Sequence, residues 1–307
     1  MSGTPPEKSA ATDEISWTDD AIRDLVDLGD LEQSEDDDAP FDPFRESDDE
    51  TFVFSFRKPT ASSTGGDAED IRIEIRGYKA DADAVWKSTG LTVWRAAELL
   101  CEHLVENSDL LVPRRRSNGT DRRGGTRVLE LGAGLGLCGI LAHHLMTDYG
   151  SVVVTDGDTD ALVALRDNVE TNSREATTEG GEEGGTISCR QLLWGREHSE
   201  QFLRKYGGGE TFDLLVASDI VYSAVVVAPL WESVSTLMSP DGQFLFGYCS
   251  RREVPITIDE VLDAASVAGF AHELVADRDD VLVYLFRWKE ERVPEATDDG
   301  GLSQDAS

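Results

Sequence analysis

The chain has 307 residues and a formal net charge of −33. A surface this acidic repels phosphate groups, so the composition argues against a nucleic-acid partner and favours a basic one. No stretch approaches 18 consecutive apolar residues, and the first residues resemble neither a signal peptide nor a transit peptide. We therefore predict a protein that acts inside the cell and has no membrane partner.

The negative charge is concentrated at the two ends of the chain. Residues 1–50 contain 18 acidic and 3 basic side chains, and residues 290–307 form a second acidic segment. Both segments hold few aliphatic side chains, so burial cannot offset the entropy that is lost on ordering. We predict a disordered arm at 1–50, with at most a short helix at 18–29, and a disordered tail at 290–307. The folded domain is predicted to span 51–289.

The cysteines and histidines give no sign of a disulfide framework or a metal site. Four cysteines are widely spaced in apolar surroundings, and neither they nor the five histidines form a ligand cluster. We predict reduced thiols, no bound metal, and a cytoplasmic location with the nucleus as a second one.

The first predicted elements form an N-terminal extension at 51–126. Apolar and polar residues alternate in TFVFSFR at 51–57 and in IRIEIRG at 71–77, which predicts an antiparallel pair of strands. Apolar residues at helical spacing predict a helix at 91–107, with Trp94 near its start. We interpret the arginine-rich stretch at 114–127 as a solvated loop.

Strands and helices alternate through the rest of the domain. The pattern predicts strand 127–131, helix 137–146, strand 151–155, helix 159–172, strands 186–193 and 212–218 with no helix assigned between them, helix 229–238, strand 243–250, helix 257–269 and strands 272–276 and 280–288. Helices between strands imply right-handed crossovers and a parallel sheet. The last two strands are too close for a crossover, so they predict an antiparallel terminal hairpin. The fold class is therefore α/β, a Rossmann-like sheet of seven strands in the order expected of a class I methyltransferase.

The glycine-rich segment VLELGAGLGLCGI at 128–140 can be read in two ways. A GxGxxG pattern of dinucleotide sites begins at Gly134, and an ExGxGxG pattern begins at Glu130. A strand that ends in a glycine turn and opens a helix points free backbone N–H groups at a ligand. A carboxylate at Glu130 is unfavourable beside a pyrophosphate but favourable beside the ammonium and sulfonium of S-adenosyl-L-methionine. The second pattern is therefore preferred, with Gly139 as a helix residue that packs against the sheet.

An acid at the end of the next strand supports a nucleoside ligand. Asp156 follows the strand residues VVVT and can accept hydrogen bonds from both ribose hydroxyls of a nicotinamide dinucleotide or of S-adenosyl-L-methionine. The alternative is that Asp156 caps the following helix, a role that Asp158 fills better.

Five segments in order resemble the successive motifs of the family 16 methyltransferases, the lysine-specific seven-β-strand protein methyltransferases. They are GLTVWRAAELLCEHL at 90–104, VLELGAGLGLCGI at 128–140, VVVTDGDTDALVALRDNVETN at 152–172, LLWG at 192–195 and ASDIVYSAVVVAPL at 217–230. The resemblance runs from residue 52 to residue 289 without the two tails and the insertion at 173–185. It implies the cofactor S-adenosyl-L-methionine and a lysine acceptor on a protein.

The resemblance also implies roles for individual residues. Trp94 would wall the cofactor pocket, Trp194 would lie beside the adenine, and Asp156 would take the ribose hydroxyls. The remaining cofactor residues would be Gly132, Ala133 and Gly134 on the methionine and ribose side, beside Glu130 and Ser218. Ser218 departs from the alanine common in the family, a small change that should leave the pocket intact. The segment at 250–257 keeps an arginine pair but lacks the aromatic residues that follow it, which leaves the substrate open.

Asp219 and Tyr222 form a D-x-x-Y motif that we assign to catalysis. Asp219 would orient the incoming ammonium and receive its proton through water, and Tyr222 would supply a π face and a hydroxyl. The alternative is that Asp219 caps the next helix and Tyr222 packs in the core.

Other functions stay open on the sequence alone. The acceptor can be a histidine, an arginine or a small molecule instead of lysine, and an idle methyltransferase-like binding protein is a further alternative. A nicotinamide-dependent dehydrogenase is disfavoured by Glu130 and by the lack of a second domain. We expect a monomer whose protein substrate has a basic target surface.

Overall fold

The computed structural model describes most of the predicted domain. The described residues are 49–58, 70–80, 82, 85, 88–112, 125–146, 150–175, 185–250 and 255–289. The first two described residues, Asp49 and Glu50, lie in a strand, so the prediction of a disordered arm up to residue 50 is wrong for these two. The predicted helix at 18–29, the rest of the acidic arm, the acidic tail and most of the arginine-rich loop lie outside the described residues, as does the arginine pair at 251–252. The predictions for these parts of the chain therefore stay predictions.

A two-stranded antiparallel sheet forms the beginning of the described chain. Strand β1 (Asp49–Arg57) pairs with strand β2 (Asp70–Tyr78) along their full length. Isoleucines 71, 73 and 75 of β2 are buried, because alternate residues of a strand face the same side. The predicted pair of N-terminal strands is confirmed.

Seven further strands form one sheet in the order β5-β4-β3-β6-β7-β9-β8. They are β3 (Arg127–Leu131), β4 (Ser151–Asp156), β5 (Thr186–Gln191), β6 (Phe212–Ser218), β7 (Met238–Cys249), β8 (Phe270–Arg278) and β9 (Val281–Trp288). Strands β3 to β7 are parallel, and β9 runs antiparallel between β7 and β8. The predicted seven-stranded sheet with an antiparallel terminal hairpin is confirmed.

In the described residues, six α-helices cover the two faces of this sheet. They are α1 (Arg95–Glu106), α2 (Leu137–Leu145), α3 (Thr159–Glu175), α4 (Arg196–Tyr206), α5 (Val227–Leu237) and α6 (Ile258–Val267). Helices α1, α2 and α3 contribute to one hydrophobic core, and α4, α5 and α6 contribute to a second core on the opposite face. Among the described residues, no helix is long and apolar enough to cross a membrane.

Helix α4 is the element that the sequence pattern fails to predict. Its residues REHSEQFLRKY bury only Ser199 and Phe202, so they lack the wide apolar stripe by which helices are recognised. The predicted helix at 91–107 is also shorter than expected, because a 3₁₀ turn (Thr89–Leu91) precedes α1. Both differences lie beside the site described below.

Two asparagines attach the N-terminal strands to the main domain. The side chain of Asn172 accepts from the N–H of Glu74 at 3.1 Å and donates to its carbonyl at 2.8 Å. Asn168 makes the same pair of bonds with Arg76 at 2.8 and 3.0 Å, and it also donates to the carbonyl of Leu135 in the glycine loop. Because the asparagines are one helical turn apart, they match alternate residues of β2. The extension is thereby held against the loop that follows β3.

Candidate cofactor and acceptor site

The glycine loop after β3 has a backbone that only glycine adopts without strain. Gly132, Gly134 and Gly136 have φ values of 60°, 52° and 90°. A side chain at Gly134 would also place its Cβ 3.0 Å from the carbonyl oxygen of Gly90. Helix α2 begins directly after the loop, so its free N–H groups point toward the space above the sheet.

Glu130 lies buried beneath this loop. Its Oε2 atom accepts from the N–H of Gly139 at 2.8 Å, and a Cβ at position 139 would lie 2.6 Å from the same atom. The predicted role of Gly139 as a helix residue packed on the sheet is confirmed, since its Cβ would also be 2.2 Å from the side chain of Val154. Burial raises the pKa of Glu130 to about 8, despite the hydrogen bonds from Gly139 and Cys138. A cation in the cavity would favour the ionised form.

Asp156 connects the end of β4 to the glycine loop. Its Oδ2 atom accepts from the N–H of Gly134 at 2.9 Å, and its Oδ1 atom accepts from the N–H of Asp158 at 3.0 Å. Burial raises the pKa of the Asp156 carboxyl. Asp158 caps α3 by accepting from the N–H of Asp160 at 2.8 Å, as the sequence predicts. The ribose contact of Asp156 stays a prediction.

The turn before α1 closes one side of the site. The indole N–H of Trp94 donates to the carbonyl of Thr89 at 2.8 Å, which holds the ring over this turn. Gly90 lies against Gly134 and Ala161, and a Cβ at position 90 would be 2.6 Å from that of Ala161. Gly90 could not be assigned to the site from the sequence, although it begins the segment GLTVWRAAELLCEHL at 90–104. A glycine between two elements is a weak signal unless its neighbours in space are known.

Trp194 forms another part of the cavity wall. A Cβ at Gly132 would lie 3.3 Å from its ring, so the tryptophan reaches the glycine loop. The next residue, Gly195, has a φ of 123° and donates its N–H to the hydroxyl of Ser233 at 2.8 Å. Helix α5 therefore fixes the position of this wall.

Asp219 joins three elements at the end of β6. One carboxylate oxygen accepts from the N–H of Ala96 at 2.9 Å, and the other accepts from the N–H of Cys249 at 2.9 Å. Its own N–H donates to the carbonyl of Gly247, and its φ is 53°. Asp219 thus caps α1, a helix far earlier in the chain, and does not cap α5, the next helix along the chain. Whether it also contacts an acceptor stays a prediction.

All ten predicted site residues line one cavity of about 540 Å³. Tyr222 lies at the mouth and is 46% exposed, so the alternative that it packs in the core is wrong. Ser218 lies near the thiol of Cys138, with 4.0 Å between Oγ and Sγ. Lining residues that the sequence analysis did not assign include Gly90, Cys138, Leu193, His198, Ile220 and Val225. In the part of the chain that the structure describes, no three His, Cys, Asp or Glu side chains could hold a metal ion.

The sheet order and this cavity together define a class. The sheet has five parallel strands and an antiparallel strand inserted before its edge, and the glycine loop lies beside acids on β3 and β4. These features form a class I methyltransferase fold. A sequence profile of the lysine methyltransferase family matches residues 79–258, which is more than half of the chain. The chain belongs to this family.

Individual relatives are similar over part of their length. The Protein N-terminal and lysine N-methyltransferase EFM7 of Yarrowia lipolytica is 29% identical over 60% of this chain and 66% of its own length. The Protein-lysine N-methyltransferase EFM6 of Saccharomyces cerevisiae is 34% identical over 43% of this chain and 52% of its own length. The chain therefore spans just under two thirds of the first relative and about half of the second.

A solved structure gives a weaker likeness. The T. thermophilus 16S rRNA N2 G1207 methyltransferase RsmC is 16% identical, and the match covers 78% of this chain and 51% of that one. The TM-score is 0.47, so this similarity adds nothing to the assignment.

Proposed function

We propose that the chain is an S-adenosyl-L-methionine-dependent methyltransferase that transfers methyl groups to a lysine side chain of an intracellular protein. Its membership of the lysine methyltransferase family supports this activity. The observation that carries it is a cavity that brings the glycine loop and its acids together with Asp219 and Tyr222.

The residues of the cavity fit this cofactor. Glu130 offers a buried carboxyl for a cationic group, and Asp156 offers a carboxyl beside Gly134 for the ribose hydroxyls. Trp94 and Trp194 supply flat walls, and Gly132, Ala133 and Gly134 line the same cavity. When bound, the cofactor supplies a methyl group on a sulfonium, which a neutral amine can attack.

The chain's own residues align and desolvate the acceptor. A lysine is protonated at neutral pH and must lose its proton before it reacts. Tyr222 at the mouth presents a ring face and a hydroxyl to the arriving amine. Asp219 holds the N-terminus of α1 and the end of β7 in place, which fixes the acceptor opening relative to Trp94.

A second acceptor is favoured by one comparison. The relative from Yarrowia lipolytica is named for both N-terminal and lysine methylation. An N-terminal amine has the same chemistry as a lysine amine and a lower ordinary pKa, so this site would accept it. Histidine, arginine and small-molecule acceptors have no such support.

The direct test is transfer of a labelled methyl group. We expect the purified protein, incubated with radiolabelled S-adenosyl-L-methionine and a soluble cell extract, to label a protein band on a lysine identified by peptide mass analysis. Asp156→Ala is the inactive control, because it removes an acceptor from the cofactor cradle. A wild-type protein that binds the cofactor but labels no protein would overturn the proposed function, and a label on an N-terminal amine would favour the second acceptor.

The partners and the location complete the proposal. The net charge of −33 supports a substrate with a basic target surface and gives no support for a nucleic-acid partner. All four cysteines are free thiols, which supports a cytoplasmic location, with the nucleus as a second one. We assign catalysis to the domain at 51–289 of a monomer.

A further inference from the structure

The segment that follows Asp219, up to the first turn of α5, is an uncharged part of an acidic protein. Residues 220–231 contain no charged side chain, although 29% of all residues are charged. Within this segment Tyr222 is 46% exposed and Val225 is 78% exposed. Exposed apolar side chains that lie together are typical of a binding surface.

The cofactor does not account for this surface. Leu193 is also exposed at the cavity, but a Cβ at Gly157 would lie 3.2 Å from its side chain. Leu193 therefore lies next to Asp156, on the side that we assign to the cofactor. Tyr222 and Val225 follow Asp219 and lie on the acceptor side of the cavity. A side chain that lines the cavity and is still 78% exposed lies at its mouth.

The position of Val225 is fixed by its neighbours in the chain. It is the middle residue of a 3₁₀ turn (Ala224–Val226), and the N–H of Val226 donates to the carbonyl of Ser223 at 3.3 Å. Val221 before the turn and Val227 after it are buried. The turn is therefore anchored at both ends, and Val225 is presented outward from a fixed point beside the cavity.

We propose that Val225 and Tyr222 form a specificity surface that binds an apolar side chain next to the target lysine of the substrate protein. This inference rests on the proposed function. Long-range attraction to the acidic chain brings many basic proteins near the site but does not select among them. A charged neighbour of the lysine would lose water at this surface without gaining a partner, whereas an apolar neighbour would be buried favourably.

The experiment compares two exposed valines. Val225→Asp places a charge on the surface, Val225→Leu keeps it apolar, and Val267→Asp is the matched control. Val267 is 90% exposed on α6 and does not line the cavity. The probe is a soluble cell extract with radiolabelled S-adenosyl-L-methionine, and the initial labelling rate of the main band is measured at several extract concentrations.

At limiting extract, we expect Val225→Asp to label at least about tenfold more slowly than the wild type, as for the loss of a central interface contact. Cofactor affinity and melting temperature should stay unchanged, and Val267→Asp should label like the wild type. Val225→Leu keeps the surface apolar, so it should lose much less labelling than Val225→Asp. Once the labelled lysine is known, replacing its apolar neighbour by Asp in the substrate should cause a similar loss.

Four outcomes would overturn the inference. Normal labelling by Val225→Asp would show that the surface does not contact the substrate. An equal loss of cofactor affinity would place Val225 in the cofactor pocket, and conversion of a wild-type dimer to a monomer would make the surface an interface between copies. A wild-type protein that binds the cofactor and labels nothing would overturn the proposed function, and this inference with it.

Discussion

The two sides of the cavity are built in opposite ways. The cofactor side consists of glycines in left-handed conformations, the buried Glu130 and the hydrogen-bonded Asp156. The side that we assign to the acceptor is a loop whose side chains at 222 and 225 are exposed and uncharged. A small charged ligand must exchange its water for fixed partners, so its site must be buried and preorganised. A side chain delivered by another protein requires an open mouth instead.

Asp219 lies at the junction between these two sides. Its carboxylate holds the N-terminus of α1, next to Trp94, and the end of β7, while Tyr222 follows it on the acceptor loop. A change at Asp219 should therefore affect both sides, whereas changes at other positions should affect one. The following substitutions test this division.

The largest effect is expected from adding a methyl group at the glycine loop. Gly134→Ala places a Cβ 3.0 Å from the carbonyl oxygen of Gly90, so we expect no measurable cofactor binding by calorimetry. Gly208→Ala is the control, because Gly208 also has a positive φ but has open space around it. Both variants should lose about 1 kcal/mol of unfolding free energy from the left-handed backbone. Normal cofactor affinity in Gly134→Ala would show that this contact does not shape the site.

Asp219→Ala should reduce stability and transfer together. It leaves the buried N–H groups of Ala96 and Cys249 without their acceptor, which costs about 1 to 3 kcal/mol per group. We expect no methyl transfer and a smaller loss of cofactor affinity. Asp219→Asn keeps one acceptor oxygen and tolerates the positive φ, so it should lose less stability. Full stability of Asp219→Ala in a denaturant titration would contradict the capping role.

Glu130→Gln is a change on the cofactor side alone, and it should alter how the stability of the protein depends on pH. The pKa of Glu130 is raised to about 8, so the folded protein favours the neutral carboxyl. The neutral carboxyl therefore contributes to the free energy of unfolding. This contribution is complete below the ordinary pKa near 4.5 and is lost as the pH rises toward 8. We expect the melting temperature of the wild type to fall relative to Glu130→Gln across this range. Parallel curves for the two proteins would contradict the raised pKa.

The same substitution also reports on the charge of the bound cofactor. A cation beside Glu130 favours the ionised carboxylate, so wild-type affinity should rise with pH relative to Glu130→Gln. An equal pH dependence in both proteins would separate Glu130 from the cationic part of the ligand.

The smallest effect is expected at the exposed mouth. Tyr222→Phe removes a hydroxyl and keeps the ring, so cofactor affinity and stability should stay within experimental error. We expect a severalfold loss in the apparent kcat/KM for the protein acceptor, consistent with about 1 kcal/mol for one hydrogen bond. A change in cofactor affinity as large as the change in transfer would mean that Tyr222 belongs to the other side.

Local chemistry explains which parts of the site could be predicted. The glycine loop, Glu130 and Asp156 lie within a few residues of strand ends, and the ends of adjacent parallel strands meet at the same edge of a sheet. His198 was missed because α4, on which it lies, buries too few apolar residues to be recognised as a helix. Gly90 was missed because the need for a glycine at this position comes from close contacts with Ala161 and Gly134, which are distant in the chain.

The sequence by itself determined the order of the strands, the described α-helices other than α4, the terminal hairpin and the preferred register of the glycine loop. These follow from residue spacing and from the backbone preferences of glycine, which act locally. The tertiary structure alone decided that Asp219 caps α1, that Asn168 and Asn172 hold β2, and that Val225 lies at the mouth of the cavity. Each of these depends on contacts between segments far apart in the chain, and such contacts leave no periodic pattern in the sequence.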